Sequence, residues 1–157
     1  IYDLFIRKLK DRMQSLILGN PLDKNTDIGA INSYNQLSNI HKYIDLGKKE
    51  GAEIFQLNCK IPSNGYWCAP TLFTNVSQSH AIAREEIFGP VLAVQTFRTI
   101  NEVISKANNS PYGLSAGVWT DKGSKVFNLT SKLNAGVVWA NTYNKFDPTS
   151  PFGGYKE

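Results

Sequence analysis

Two adjacent carboxylates, Glu85 and Glu86, precede Phe88 and a Gly-Pro pair, and an apolar run follows at once. The pair could be a general acid and base, an acceptor for sugar hydroxyls, or a solvated pair at a strand entry. Neighbouring side chains point to opposite faces of a strand and lie about 100° apart around a helix, whereas an acid–base pair must converge on one bond. One glutamate facing a cleft can instead bind a ribose. From these residues alone the solvated pair is favoured.

The remaining reactive side chains form no catalytic or metal-binding pattern. His41 and His80 have no Ser or Cys nucleophile motif beside them and no partners at zinc-ligand spacing. Cys68 lies between two apolar residues, a context that favours an inert buried thiol. The sequence therefore predicts no metal site, and we expect neither Cys59 nor Cys68 to be a nucleophile.

The loop over residues 141–154, NTYNKFDPTSPFGG, is the best candidate for site-forming residues. It follows a predicted strand, and ligands in open parallel sheets bind beyond the carboxyl ends of the strands. Gly153 and Gly154 permit a tight turn that holds Phe152 at its edge. Taken alone, this motif favours the plainer alternative, a strand-ending turn with a packed aromatic side chain.

Helical and strand patterns alternate along the chain and must position these residues. Helices are predicted over residues 1–18, 33–50, 99–110 and 121–133, and strands over 52–59, 91–97, 114–120 and 135–141. An extended segment is predicted over 65–76, and a helix or turn over 80–86. This order predicts an α/β fold with a mostly parallel sheet. The strands at 91–97 and 135–141 lack a polar face, which fits a three-layer αβα arrangement with both sheet faces covered.

Apolar spacing predicts the buried helix faces, and Thr99 is a suitable N-cap for the third helix. The predicted inward residues are Ile1, Phe5, Leu9 and Met13 in the first helix; Ile40, Tyr43, Ile44 and Leu46 in the second; Val103, Ile104 and Ala107 in the third; and Val126, Phe127, Leu129 and Leu133 in the fourth.

Composition limits the functional class. A chain of 157 residues with 41% hydrophobic content suits one domain. The net charge of +4 is spread along the chain without a basic run, so we expect no nucleic-acid partner. No apolar stretch reaches the roughly 18 residues that a membrane span needs. Two cysteines form no disulfide framework, which favours a reducing, cytoplasmic location.

The residues at both ends of the sequence predict that the natural chain is longer. Helical spacing begins at Ile1 without a capping residue, and the closing residues SPFGGYKE complete no element.

Four motifs, REEIFGPV, NNSPYGLSAGVWT, NAGVVWAN and SPFGGYKE, occur in an order and at separations that resemble the aldehyde dehydrogenase superfamily. IYDLFIRKLKDRM, GNPLDKNTDIGA and GYWCAPTLF also match the course of the family, so the resemblance covers essentially the whole chain. The stretch FDPTSPFGGYKE favours the family-sixteen branch. The resemblance implies that residues 1–157 are part of a catalytic domain of the aldehyde dehydrogenase type.

Members of this family oxidise an aldehyde to a carboxylic acid with NAD or NADP. A cysteine thiolate forms a thiohemiacetal, hydride passes to the nicotinamide, and a glutamate-activated water hydrolyses the thioester. The resemblance places that cysteine, that glutamate and most of the cofactor domain upstream of Ile1. It therefore assigns no catalytic residue to this chain, and we expect no aldehyde turnover by the segment alone.

The resemblance assigns binding roles residue by residue. Glu86 corresponds to the glutamate that contacts the nicotinamide ribose, and Phe88 to the phenylalanine that packs near the nicotinamide. Gln36 matches a position that often touches a cofactor ribose, although its neighbours depart from the usual pattern. Positions that match the substrate tunnel are Asn144, Phe146 and Phe152, and aromatic walls there suit apolar aldehyde tails.

The preferred hypothesis is an NAD-dependent enzyme, with NADP as the alternative cofactor, an aldehyde substrate and a homo-oligomeric full-length protein. A non-catalytic scaffold of the same family and a nucleotide-binding module without chemistry remain open. A cysteine at the upstream nucleophile position would favour the enzyme.

Overall fold

The computed structural model describes residues 1–156 in two compact units, Ile1–Thr96 and the chain from Phe97 onward. The first unit contains α1 (Tyr2–Gln14), α2 (Tyr34–Lys49), β1 (Glu53–Gln56), β2 (Thr71–Thr74), a 3₁₀ turn (Ala81–Ala83) and β3 (Val91–Ala93). The second contains α3 (Ile100–Asn108), β4 (Ser115–Val118), α4 (Gly123–Thr130) and β5 (Val137–Ala140).

The sheet of the first unit is built around β2, whose four residues are all buried. β1 pairs with β2 antiparallel, from Glu53 opposite Thr74 to Gln56 opposite Thr71. β3 pairs with β2 in parallel, with Thr71 opposite Val91. Covering both faces of β2 removes its apolar side chains from water, and each fully buried side chain of this kind contributes about 1.5–3 kcal/mol.

Local signals at both ends define α2, which carries one of the candidate residues. Ser33 caps the helix by accepting a hydrogen bond from the Gln36 N–H, and Lys48 and Lys49 lie in the last turn, where cations are favoured. Gly51 follows with φ of 90°, a left-handed conformation that ends the helix.

The core of the first unit joins α2, β2 and the segment that leads into β3. Its central side chains are Ile40, Ile44, Phe73, Ile82 and Ile87, each 8% exposed or less. Gly47 belongs to the same contact, because a Cβ there would lie 3.0 Å from Ile82 Cδ1 and 3.1 Å from Phe73 Cε1.

The second unit pairs β4 with β5 in parallel, with Ser115 opposite Val137 and Val118 opposite Ala140. Thr99 caps α3 as predicted, because its side chain accepts a hydrogen bond from the Glu102 N–H at 3.1 Å. No helix over residues 1–156 is long and apolar enough to cross a membrane.

The α/β assignment is confirmed, and two of the three strand pairings are parallel. The predicted elements are present but shorter at several ends. α1 stops at Gln14 because the chain beyond it turns into a bridge between Leu18 and Ile28. β3 ends at Ala93, and its Leu92 is 47% exposed, so the cover on both faces that was predicted for the strand at 91–97 is not observed there. The strand that is buried on both faces is β2, for which only an extended segment was predicted.

Several predicted inward residues are wrong, because apolar spacing does not reveal what a neighbouring element requires. In α1 the buried residues are Ile6 and Met13, whereas Phe5 is 53% exposed and Ile1 is fully exposed. In α2 the close approach of Phe73 requires the glycine at position 47, and the predicted inward residue Leu46 is 37% exposed. In the second unit Ala107 is exposed, and so is Phe127 at 78%.

Candidate functional site

The turn between the 3₁₀ segment and β3 carries both candidate acids on its surface. Glu85 and Glu86 are exposed, whereas the next residue, Ile87, is buried in the core. The Glu85 N–H donates to the Ala81 carbonyl at 2.9 Å, which ties the first acid to the 3₁₀ turn. Because Ile87 is inserted into the core, the position of Glu86 next to it is fixed by packing.

Phe88 follows in an unusual backbone conformation. Its φ is 51°, in the left-handed region that bulky residues avoid, and its side chain is 75% exposed. Directly after it, a Cβ at Gly89 would lie 2.6 Å from Ile40 Cδ1, so only glycine lets this turn lie against α2. The fold thus presents the Phe88 ring outward while its backbone is held against the core.

Gln36, from the first turn of α2, fastens this same turn. Its Nε2 donates to the carbonyl oxygens of Ile87 at 2.8 Å and Phe88 at 3.1 Å. The structure therefore brings Gln36 and the Phe88 turn together, although the residues are 52 positions apart. It also shows that the amide nitrogen of Gln36 is already used by protein carbonyls.

An aromatic cluster in the second unit contains two of the predicted substrate residues. The Phe146 ring meets Phe152 at a centroid separation of 5.0 Å and Trp139 at 5.5 Å, both edge to face. Trp139 also meets Tyr143 at 4.9 Å. Trp119 extends the row, with its ring 6.2 Å from Tyr143. Edge-to-face pairs at these separations are favourable, so the rings form a continuous apolar wall.

Hydrogen bonds fix the loop that bears this wall. Trp139 Nε1 donates to the Lys145 carbonyl at 2.9 Å, which pins the chain between β5 and Phe146. Asn144 lies exposed within that span with φ of 53°, a conformation that asparagine tolerates well. Asp147 Oδ1 accepts from the Thr149 N–H at 2.9 Å and the Thr149 hydroxyl at 2.7 Å. These bonds hold the pKa of the Asp147 carboxyl below its ordinary value.

Sequence reasoning missed Trp119, Trp139 and Tyr143 as parts of this cluster. A usable signal was present for two of them, because Trp139 lies on the strand that leads into the candidate loop and Tyr143 lies within the loop.

The two cysteines lie in different surroundings, and the predicted burial is observed for Cys68. Cys68 is buried in the first core, and burial raises the pKa of its thiol. Cys59 is half-buried. Among residues 1–156, no three His, Cys, Asp or Glu side chains are grouped so that they could hold a metal ion.

Comparison with known proteins places the whole chain in one group. The family model described as "Aldehyde dehydrogenase family" matches residues 1–157. The chain is 44% identical to the putative aldehyde dehydrogenase DhaS of Bacillus subtilis over 157 residues, which cover 99% of this chain and 32% of that protein. It is also 44% identical to the mitochondrial aldehyde dehydrogenase of Homo sapiens over 156 residues, with 99% and 30% coverage.

Solved structures agree with the sequence comparison. The NAD⁺ complex of an aldehyde dehydrogenase from Bacillus cereus superposes with a TM-score of 0.93 at 41% identity, over 99% of this chain and 32% of that one. The NAD-dependent aldehyde dehydrogenase of Sinorhizobium meliloti gives a TM-score of 0.95 at 37% identity, over 99% and 31%. The chain thus spans about a third of the length of the proteins that it matches.

Proposed function

Because the chain belongs to the aldehyde dehydrogenase family, we propose that it is the part of a catalytic domain that completes the nicotinamide and aldehyde sites of a longer NAD(P)-dependent enzyme. The reaction is oxidation of an aldehyde to a carboxylic acid. The observation that carries the proposal is the Glu86–Phe88 turn, which presents a carboxylate and an aromatic ring outward while Gln36 and Ile87 hold its backbone.

The residues of this turn suit a nicotinamide riboside. The exposed Glu86 carboxylate can accept hydrogen bonds from both ribose hydroxyls, and the exposed Phe88 ring offers an apolar surface to the nicotinamide. NAD, with NADP as the alternative, would supply the hydride acceptor when bound. Gln36 supports the same site by holding the carbonyls of Ile87 and Phe88.

The aromatic wall of the second unit suits the aldehyde tail. Phe146 and Phe152 provide apolar ring surface, and Asn144 adds a polar group to the same loop. Pockets for small molecules combine such apolar walls with a few polar groups. We therefore assign the wall to binding and orientation of an apolar aldehyde, and the cysteine nucleophile and the general base to the rest of the longer protein.

A homo-oligomeric, cytoplasmic protein is part of the proposal. For the location, the supporting observation is a relative named as cytosolic, from Rattus norvegicus; other relatives are named as mitochondrial.

The decisive experiment uses the longer protein that contains this chain, purified and mixed with NAD or NADP and a series of aldehydes. We expect reduced nicotinamide to form, followed by its ultraviolet absorbance, together with one carboxylic acid per reduced cofactor. Cofactor binding without reduction would support a nucleotide-binding module instead. A protein that neither binds nor reduces the cofactor, and lacks the upstream cysteine, would be a scaffold of the same family.

A further inference from the structure

The segment after Phe152 is fastened to the end of α3 by one lysine. Lys156 Nζ donates to the Asn108 carbonyl at 3.0 Å and to the Ser110 carbonyl at 2.7 Å, in partly buried surroundings. Asn108 is the last residue of α3. Carbonyls at a helix C-terminus lack partners within the helix and carry partial negative charge, so an ammonium group is well placed there.

Backbone contacts also hold residues 153–156 close to Gly113 and Gly136. The Tyr155 N–H donates at 3.0 Å to the Gly113 carbonyl, which also accepts the Gly136 N–H at 2.9 Å. A Cβ at Gly136 would overlap the Gly153 carbonyl oxygen, and a Cβ at Gly113 would lie 3.1 Å from Lys156 Cγ. Glycine at positions 113 and 136 therefore lets residues 153–156 lie directly on the start of β5 and the turn before β4.

Phe152 lies between this attachment and a second fixed point. Before it, the Ser150 N–H donates to the Asp147 carbonyl at 3.0 Å, within the turn that the Asp147 side chain stabilises. After it come Gly153 and Gly154, which have no side chains to restrict the backbone. Without a contact beyond these glycines, the Phe152 ring would be fixed from one side only.

We propose that Lys156 is a positioning residue for the aldehyde site: together with the Tyr155 N–H, it fixes the chain beyond the two glycines and so keeps the Phe152 ring against Phe146. This inference rests on the proposed role of Phe152 in the substrate wall. Lys156 acts through Phe152 and touches neither the aldehyde nor the cofactor. A bulky aldehyde tail uses the wall and a short one does not, so Lys156 affects the KM for bulky aldehydes and leaves that for short ones unchanged. Because Lys156 does not act on the cofactor, the KM for NAD is also unchanged.

The test compares variants of the longer enzyme with acetaldehyde and phenylacetaldehyde as substrates. Lys156→Met keeps the length of the side chain and removes its hydrogen bonds, Lys156→Arg keeps charge and donors, and Lys125→Met is a control at an exposed lysine of α4. We expect Lys156→Met to raise the KM for phenylacetaldehyde about tenfold, in line with loss of charged hydrogen bonds. The KM for NAD and for acetaldehyde should change less than about twofold, and Lys156→Arg should recover most of the loss.

Phe152→Ala separates failure of this inference from failure of the proposed function. If Phe152→Ala raises the KM for phenylacetaldehyde and Lys156→Met does not, the positioning role is wrong and the substrate wall stands. If Phe152→Ala itself leaves that KM unchanged, the assignment of the aromatic wall to aldehyde binding is wrong, and the positioning role of Lys156 is wrong as well. Should Lys156→Met fail to fold, Lys156→Gln retains only a neutral amide donor and must raise the KM for phenylacetaldehyde above that of the wild type; a wild-type value for it would overturn the proposal.

Discussion

Among single residues, Glu86 and Glu85 differ in what lies beside them. Glu85 is bonded through its backbone to the 3₁₀ turn, whereas Glu86 lies between that turn and the buried Ile87, two residues before the outward Phe88. The backbone at Glu86 is thus held by its neighbours, which lowers the entropic cost of placing its exposed carboxylate against a ribose.

Glu86→Gln in the longer enzyme is expected to raise the KM for NAD and slow hydride transfer. An amide oxygen accepts weaker hydrogen bonds than a carboxylate, and a loss of about 1.5 kcal/mol corresponds to roughly a tenfold change in kcat/KM. Steady-state and single-turnover kinetics measure both quantities. Glu85→Gln is the matched control, and equal effects of the two variants would contradict a specific role for Glu86.

Gln36 offers a second prediction, because its two bonds cross from α2 to the Phe88 turn. Gln36→Glu replaces the donor with a carboxylate that faces the Ile87 and Phe88 carbonyls. We expect the free energy of unfolding to fall by about 1–3 kcal/mol and the KM for NAD to rise. Denaturant unfolding and kinetics would be compared with Asn35→Asp, an exposed neighbour on the same helix. A change in the KM for aldehyde alone would speak against this assignment.

Among the elements, α3 shows how local signals fix a helix. Thr99 accepts from the Glu102 N–H at 3.1 Å, and Glu102 accepts in return from the Arg98 N–H at 2.8 Å. Lys106 adds an ion pair to Glu102 at 2.7 Å, one turn along the helix. This reciprocal arrangement resembles a capping box and satisfies donors that the first turn leaves unpaired.

The stability of α3 should therefore depend on pH in the acidic range. The hydrogen bond from Lys106, followed by the backbone bond from Arg98, lowers the pKa of Glu102 below its ordinary value of 4.5. A lowered pKa in the folded state means that the carboxylate stabilises α3 above that ordinary value, and that this contribution is lost as pH falls through the lowered pKa. Amide hydrogen exchange in α3, measured at steps from pH 6 down to pH 3 and corrected for intrinsic rates, should show the loss. Glu102→Gln should lack this step, and a step of the same size in that variant would contradict the assignment.

The elements also show what sequence reasoning can reach. Caps at Ser33 and Thr99 are local, and α2 and α3 were predicted close to their observed bounds. Gly47 of α2 is buried because the Phe73 ring of β2 packs against it, and no periodic pattern within α2 contains that information. The hydrogen bond from Gln36 to the Phe88 carbonyl and the edge-to-face contact of Trp139 with Phe146 likewise depend on the tertiary fold. The family resemblance supplied Phe88, Phe146 and Phe152, and the geometry supplied their partners.

Across the whole molecule, the candidate residues divide between the two units. Gln36, Glu86 and Phe88 all belong to Ile1–Thr96, and Asn144, Phe146 and Phe152 all follow Phe97. Under the proposed function, substitutions in the first unit should act mainly on the cofactor, and substitutions in the second mainly on the aldehyde.

Within residues 1–156, four residues other than glycine have positive φ, and Phe88 is the one among them that is not asparagine. A left-handed backbone costs a residue with a Cβ about 1–2 kcal/mol, and glycine avoids that cost. Phe88→Gly and Phe88→Ala both remove the ring, so they differ only in the backbone. Even after the greater freedom of glycine in the unfolded chain is allowed for, we expect the glycine variant to be more stable by about 1 kcal/mol in denaturant unfolding. Alanine of equal or greater stability would mean that the backbone there is not strained.

The comparison of glycine with alanine at residue 88 bears on why phenylalanine occupies that position. Selection for stability alone would favour glycine at residue 88, because a ring that is 75% exposed contributes little hydrophobic stabilisation. Under the proposed function, the Phe88 ring is kept for its contact with the nicotinamide, so the position is a trade-off between stability and activity. Under the proposed function, a design for heat resistance should leave residue 88 untouched, even though glycine there is expected to raise the free energy of unfolding.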